Sequence, residues 1–146
     1  MSYKGKFRPK NPKKYKGDPT NIIYRSLLER RFMVYCDDTS AIIKWASEEI
    51  IIPYVNPITG RVHRYFPDFY IKVRTKNGSL KKYIIEVKPK NQCTPPEKTP
   101  KRRTGKWFSR VRTWGINKAK WKSAEEFCKS HGMQFKILTE DHLNPR

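Results

Sequence analysis

Acidic residues are scarce in this sequence. Thirteen Asp and Glu stand against 33 Lys and Arg, giving a formal net charge of +20 and a pI near 10.1. An excess of that size repels itself in a folded chain and calls for a polyanionic partner. Long apolar runs are missing as well. None approaches the roughly 18 residues of a membrane span, and no basic amphipathic helix of the membrane-surface kind stands out. Nucleic acid is therefore preferred to an anionic membrane as the partner. Cysteine is limited to Cys36, Cys93 and Cys128, an odd and widely spaced set. It offers neither a disulfide framework nor zinc-ligand spacing, and it fits a reducing cytosol. The basic N-terminus has no apolar stretch, so no secretory signal is expected. Without a Walker-type phosphate loop, no nucleotide cofactor is expected. Without a helix-turn-helix or zinc finger, little base specificity is expected.

What is present begins with a basic start. Residues 1–17 hold seven Lys/Arg, two prolines and no acid. They read as an extended basic N-terminal arm that is neither helix nor strand, with Lys13 and Lys14 as candidate phosphate contacts; a solvated tail is the plainer reading. Residues 18–146 read as a single domain. Asp18-Pro19-Thr20-Asn21 looks like a helix start, and the helical run Ile22 to Tyr35 ends near Cys36-Asp37-Asp38. Residues 42–54 read as a strand or bent strand pair, 62–74 as a second strand and 81–88 as a third. Asn77-Gly78 is a hairpin signal that makes the last two antiparallel. Residues 89–115, with prolines 89, 95, 96 and 100, read as a long basic insertion loop. A helix over 116–131 closed by Gly132 and a short strand over 134–139 complete the order helix, three strands, helix, strand.

The chemistry concentrates on two strands. In Ile84-Ile85-Glu86-Val87-Lys88 the alternation puts Glu86 and Lys88 on one face, with Tyr83, Ile85 and Val87 on the other. The plainer alternative is an ordinary same-face ion pair on an exposed sheet surface. Asp68 lies among Tyr65, Phe66, Phe69 and Tyr70, where an unpartnered carboxylate is costly. The hairpin turn can bring Asp68 to Glu86, and a divalent cation would relieve their repulsion. Two carboxylates with a backbone carbonyl, here that of Val87, suit Mg²⁺, which would acidify a water and neutralise phosphoryl charge. Lys88 then orients the attacking oxygen or stabilises developing charge.

Pro67-Asp68, a spacing of seventeen residues, and Glu86-Val87-Lys88 together resemble the motif of the PD-(D/E)XK nuclease superfamily. A preceding helix bearing Glu29 and the αβββαβ order resemble its core. Within it the chain most resembles the TnsA-like endonuclease branch. The stretches KGKFRPKNPKKYKGDPTNIIYRSLLERRFMVYCD, SEEIIIPY and HRYFPDFYIKV resemble the head-completion nucleases of T-even-type tailed bacteriophages over most of the chain. The resemblance implies an α/β, restriction-endonuclease-like fold whose mixed central sheet is flanked by helices. It also implies a Mg²⁺-dependent endodeoxyribonuclease (Mn²⁺ substituting) that processes DNA during phage head completion. Phage head or portal components are then possible partners, and host cytoplasm followed by the virion is the location. Asp68 and Glu86 match the metal ligands, Lys88 the catalytic lysine, and Glu29 the first-helix acid that contacts a metal or its water in many members. Glu29 has a plainer alternative, a surface salt bridge with Arg25 or Arg30. Glu48 and Glu49 are adjacent, so at most one faces the site, and both read more simply as solvent-facing acids. His63 falls on the face opposite Asp68, while His131 and His142 read as structural or solvated.

From Lys98 to Lys122 there are ten basic residues and no acid, interleaved with Trp107, Phe108, Trp114 and Trp121. Lys101, Arg102, Arg103, Lys106, Arg110 and Arg112 are candidate phosphate contacts. Trp107 and Trp114 are candidates for contact with bases or grooves, and Trp121 reads as core. Lys118 and Lys120 are expected to flank the site, as basic residues there do in some relatives. The competing reading is a non-catalytic structural DNA-binding protein of the phage head. An RNA-directed role is not separated from DNA by residue types alone.

Overall fold

Two facing interruptions, at Pro67 and at Glu48, split the strands into a sheet and a ribbon. In the computed structural model, which describes residues 3–143, the elements run as follows: β1 (Gly5–Phe7), β2 (Ile22–Tyr24), α1 (Leu27–Asp38), β3 (Ile42–Ser47), β4 (Ile52–Val55), β5 (Val62–Tyr65), β6 (Phe69–Arg74), β7 (Leu80–Val87), α2 (Gly105–Ser130), β8 (Gln134–Leu138) and a final turn α3 (Glu140–Leu143). Residues 1, 2 and 144–146 of the two expected segments lie outside the described residues.

The main sheet has the order β3-β6-β7-β8. β6 and β7 are antiparallel, joined by the turn in which Gly78 takes φ 86°, and β8 adds parallel to β7. The sheet is therefore mixed, and α1, β3, β6, β7, α2 and β8 realise the expected αβββαβ order. Alternation along β7 explains the two layers. Ile85 and Val87 enter a core with Phe32, Met33 and Cys36 of α1, whereas Ile84 enters one with Cys128 of α2. Both faces are thus covered, and the Glu86 face is buried too.

The expected second strand, 62–74, is two strands. Pro67 has no N–H to give a ladder, so the pairing stops at Phe66-Pro67-Asp68. The facing strand breaks at the same level. Glu48 takes φ 55°, an uncommon conformation for a residue with a side chain, and its N–H donates to the Asp68 carbonyl at 3.1 Å. Beyond this fork β4 and β5 peel away as a separate antiparallel ribbon. Ile52, Tyr54 and Tyr65 of that ribbon pack on Ala124 of α2.

Three boundaries differ from those expected. The first helix begins at Leu27, not Asp18. Ser26 is its N-cap, its Oγ accepting the Glu29 N–H at 3.1 Å, while Ile22–Tyr24 is a strand paired with β1. Asp18 instead accepts from the backbone and hydroxyl of Thr20. The 89–115 insertion is irregular only to Thr104. Thr104 caps Trp107, and 105–115 extend α2. Finally, the N-terminal segment is no loose arm, because Phe7 and Tyr15 are buried in the α1-side core.

Candidate active site

Asp68 sits at the fork between sheet and ribbon because the ladder ends there. Its Oδ2 accepts the backbone N–H of Val87 at 2.8 Å, which ties the carboxylate to the end of β7. β6–β7 pairing sets Phe69 opposite Ile85, so one residue further out Asp68 meets Glu86. Burial, and then the Glu86 carboxylate, push the Asp68 carboxyl well above its ordinary range. Glu86 is only 6 % exposed. Its Oε1 accepts the Tyr65 hydroxyl at 2.7 Å, and its Oε2 lies 3.6 Å from Lys88 Nζ.

Lys120 arrives from the other layer. On α2 it stands half-buried with its ammonium over the rings of Tyr65 and Tyr54, 5.5 and 5.8 Å from their centroids. Burial, then repulsion from Lys88, hold this ammonium below its ordinary pKa, with Glu86 and Asp68 opposing the shift. Lys118, two residues away, cannot share that face and is exposed.

Glu29 lies at the start of α1, partly buried, with Oε2 3.3 Å from the Ser26 hydroxyl. Burial raises its carboxyl above the ordinary range, and Glu48 pushes the same way. No salt bridge to Arg25 or Arg30 forms among the described residues; Arg25 pairs with Glu48 at 2.5 Å. Glu29 also does not join Asp68 and Glu86 in a three-acid cluster suited to a metal ion among the described residues. His63 bonds Thr59 and packs on Tyr54, away from these acids.

The residues present suit a divalent cation on their own chemistry. Two neighbouring carboxylates are drawn out of water, Asp68 with one backbone N–H and Glu86 with the Tyr65 phenol and the Lys88 ammonium, so added positive charge would remove an electrostatic cost. Asp68, Glu86 and the Val87 carbonyl would hold it.

The basic residues divide. Lys101, Arg102, Arg103, Lys106 and Arg112 are exposed. Arg110 donates to the Asn91 carbonyl, and the Trp107 indole donates to the Glu97 carbonyl at 2.7 Å with Arg103 over its ring. These contacts pin the irregular segment to α2. Trp114 meets Trp121 edge-on, and both are half-buried. Lys13 is exposed. Lys14 is a correction: its ammonium donates to the carbonyls of Cys36, Asp37 and Thr39 at 2.6, 3.0 and 2.8 Å. All three N–H bonds of the ammonium are spent on the end of α1, so Lys14 belongs to the helix terminus, not to phosphate.

Two features beside the site lie outside the sequence expectations. The Ser26-x-x-Glu29 spacing of a helix start is present in the sequence, but the Asp18-Pro19 signal masks it. Tyr65 read as one more aromatic of a strand, and only the fold brings its hydroxyl to Glu86.

Residues 39–140 match the TnsA-like endonuclease N-terminal family. The chain belongs to the TnsA-like endonucleases. The head completion nuclease of Enterobacteria phage T4 is 40 % identical over 146 residues, covering 98 % of this chain and 95 % of that protein. The restriction-endonuclease-like αβββαβ layout agrees with this membership. No helix among the described residues of this TnsA-like chain is long and apolar enough to cross a membrane.

Proposed function

We propose that this TnsA-like chain is a divalent-metal-dependent DNA endonuclease of the PD-(D/E)XK type. On this reading it cuts phosphodiester bonds with little sequence preference during phage head completion. The observation that carries it is the assembly of Asp68, Glu86 and Lys88 at the fork, with the Asp68 carboxyl strained by burial beside Glu86. The T4 relative's name, head completion nuclease, supports the setting. Host cytoplasm during assembly, then the virion, follows from that setting, as do head or portal components as partners.

Asp68, Glu86 and the Val87 carbonyl would hold the cation, Mg²⁺ or in its place Mn²⁺. When bound, it supplies positive charge to a phosphoryl oxygen and acidifies water near neutral pH. Lys88, its ammonium 3.6 Å from Glu86, would orient the attacking water or stabilise the charge that develops on the phosphate. Lys120 faces them from α2 and adds positive charge where the phosphate gains negative charge. Glu29, whose charge reaches Asp68 from the start of α1, would contact the metal or its water. Water adds to phosphorus, one P–O bond breaks, and the products are a phosphomonoester and a hydroxyl. Lys101, Arg102, Arg103, Lys106, Arg110, Arg112 and Lys118 bind the backbone of the DNA by counterion release, with Lys13 adding to them. Trp107 and Trp114 lie between these cations on α2, where a ring can rest on a base or groove wall.

The test is nicking and linearisation of supercoiled plasmid with Mg²⁺ or Mn²⁺ and with EDTA. Asp68→Ala and Lys88→Ala should bind plasmid and leave it uncut. A folded wild type that binds plasmid and cuts with neither metal would refute the nuclease and favour a structural DNA-binding protein.

A further inference from the structure

Tyr65 has no part in the sequence motif, yet among the described residues it makes the one buried side-chain hydrogen bond to a motif carboxylate. Tyr65 is 4 % exposed. It is fixed edge-on to Tyr54 with centroids 6.5 Å apart and packed on the helix α2 core that includes Ala124. A ring held on several sides has little freedom to swing, so its hydroxyl marks a fixed point. That point is 2.7 Å from Glu86 Oε1. The other oxygen, Oε2, is the one nearest Lys88. The two oxygens of Glu86 are thereby made unequal. Without the phenol, rotation about the last side-chain torsion, which is broad and shallow for Glu, would exchange them or present both together.

We propose that Tyr65 is a positioning residue for Glu86, holding Oε1 so that Oε2 alone is presented toward the divalent cation and Lys88. The inference rests on the nuclease reading above and adds to it a partner of the metal-binding carboxylate that comes from the β4–β5 ribbon instead of the main sheet. Groups that orient ligands in this way tune metal affinity by roughly 10–100-fold. The ribbon also explains why such a partner is available. Tyr65 is the last residue of β5, three positions before Asp68, and the break at Pro67 lets the chain turn so that both residues reach Glu86 from different directions.

The test compares full-length wild type with Tyr65→Phe, which keeps the ring and removes only the hydroxyl. Mn²⁺ binding is measured without DNA by calorimetry or by the electron paramagnetic resonance of free Mn²⁺, and plasmid cleavage is followed against metal and DNA concentration. Tyr65→Phe should bind Mn²⁺ about tenfold more weakly or worse. It should need correspondingly more metal for half-maximal cutting, with KM for DNA unchanged. Tyr54→Phe, whose hydroxyl bonds no motif residue, should match wild type in both. A Tyr65→Phe protein with wild-type Mn²⁺ affinity overturns the role of Tyr65, even if it melts earlier, because that outcome marks a packing residue. A wild type that binds no Mn²⁺ overturns the nuclease reading and this inference with it, so the two failures are told apart.

Discussion

Asp37 and Asp68 are both shielded aspartates, and the protein treats them in opposite ways. Around Asp37 the N-terminal segment wraps the end of α1. One carboxylate oxygen accepts the Lys10 N–H at 2.7 Å, the other accepts the Asn11 N–H at 3.0 Å, and the Asn11 amide bonds the Asp37 carbonyl. Around Asp68, at the fork of the sheet, one oxygen accepts a single N–H and the neighbouring group is another carboxylate. A saturated buried charge is architecture, because its hydrogen bonds fix the chain that makes them. A buried charge left short of partners is costly, and such a cost persists where something that binds the site removes it.

The largest expected contrast comes from amidating the starved acid. Asp68→Asn should reduce metal-dependent cleavage by more than the roughly 100-fold that loss of an outer-shell partner costs. Yet it should make the metal-free protein more stable. A carboxyl whose folded-state pKa is raised binds more protons folded than unfolded, so stability falls as pH rises above the ordinary aspartate value of about 3.9. The melting temperature of Asp68→Asn should therefore exceed wild type at neutral pH in EDTA, and the gap should close as the pH falls toward that value. Equal melting temperatures at neutral pH would mean that Asp68 is not strained.

The saturated acid should respond the other way. Asp37→Ala leaves the Lys10 and Asn11 N–H groups without their acceptor and frees the strap that carries Phe7 and Tyr15 into the core. The expected loss is about 2–4 kcal/mol by chemical denaturation, while whatever remains folded should cut DNA at the wild-type rate. A variant that is stable but slow would place Asp37 in the chemistry and dissolve the contrast.

How much of this was legible follows from where the information lies. Alternation along 84–88 and the Asn77-Gly78 turn are local signals, so the β6–β7 hairpin and the shared face of Glu86 and Lys88 could be read directly. Pro67 beside Asp68 is local as well, but its consequence is not. A missing N–H splits a strand only if a neighbour stood ready to pair with it, and that neighbour, around Glu48, lies twenty residues earlier. The N-terminal segment misled for a related reason. Seven basic residues without an acid look like a solvated arm, because composition does not reveal that Asp37 and the carbonyls ending α1 await them. In 89–115 a similar composition divides at Thr104, since a cap and helix formers outweigh the prolines only after Pro100. Lys120 was legible as a residue near the site, but its separation from Lys118 needed the helix phase that packing of Ala124 and Cys128 sets.

The smallest expected effect tests the strap where charge and architecture are most easily confused. Lys14 sits in a run that looks made for phosphate, yet its ammonium is enclosed by three carbonyls at the end of α1. A cation there also complements the negative end of the helix dipole. Lys14→Met keeps the apolar stem and removes the donors. It should cost about 1.5–3 kcal/mol of stability, the range for hydrogen bonds to a charged group. The slope of log affinity for DNA against log salt should stay as in wild type, because no phosphate contact is lost. A slope reduced by about one unit at unchanged stability would return Lys14 to the DNA and show that its three carbonyls are a resting place that the ammonium leaves on binding.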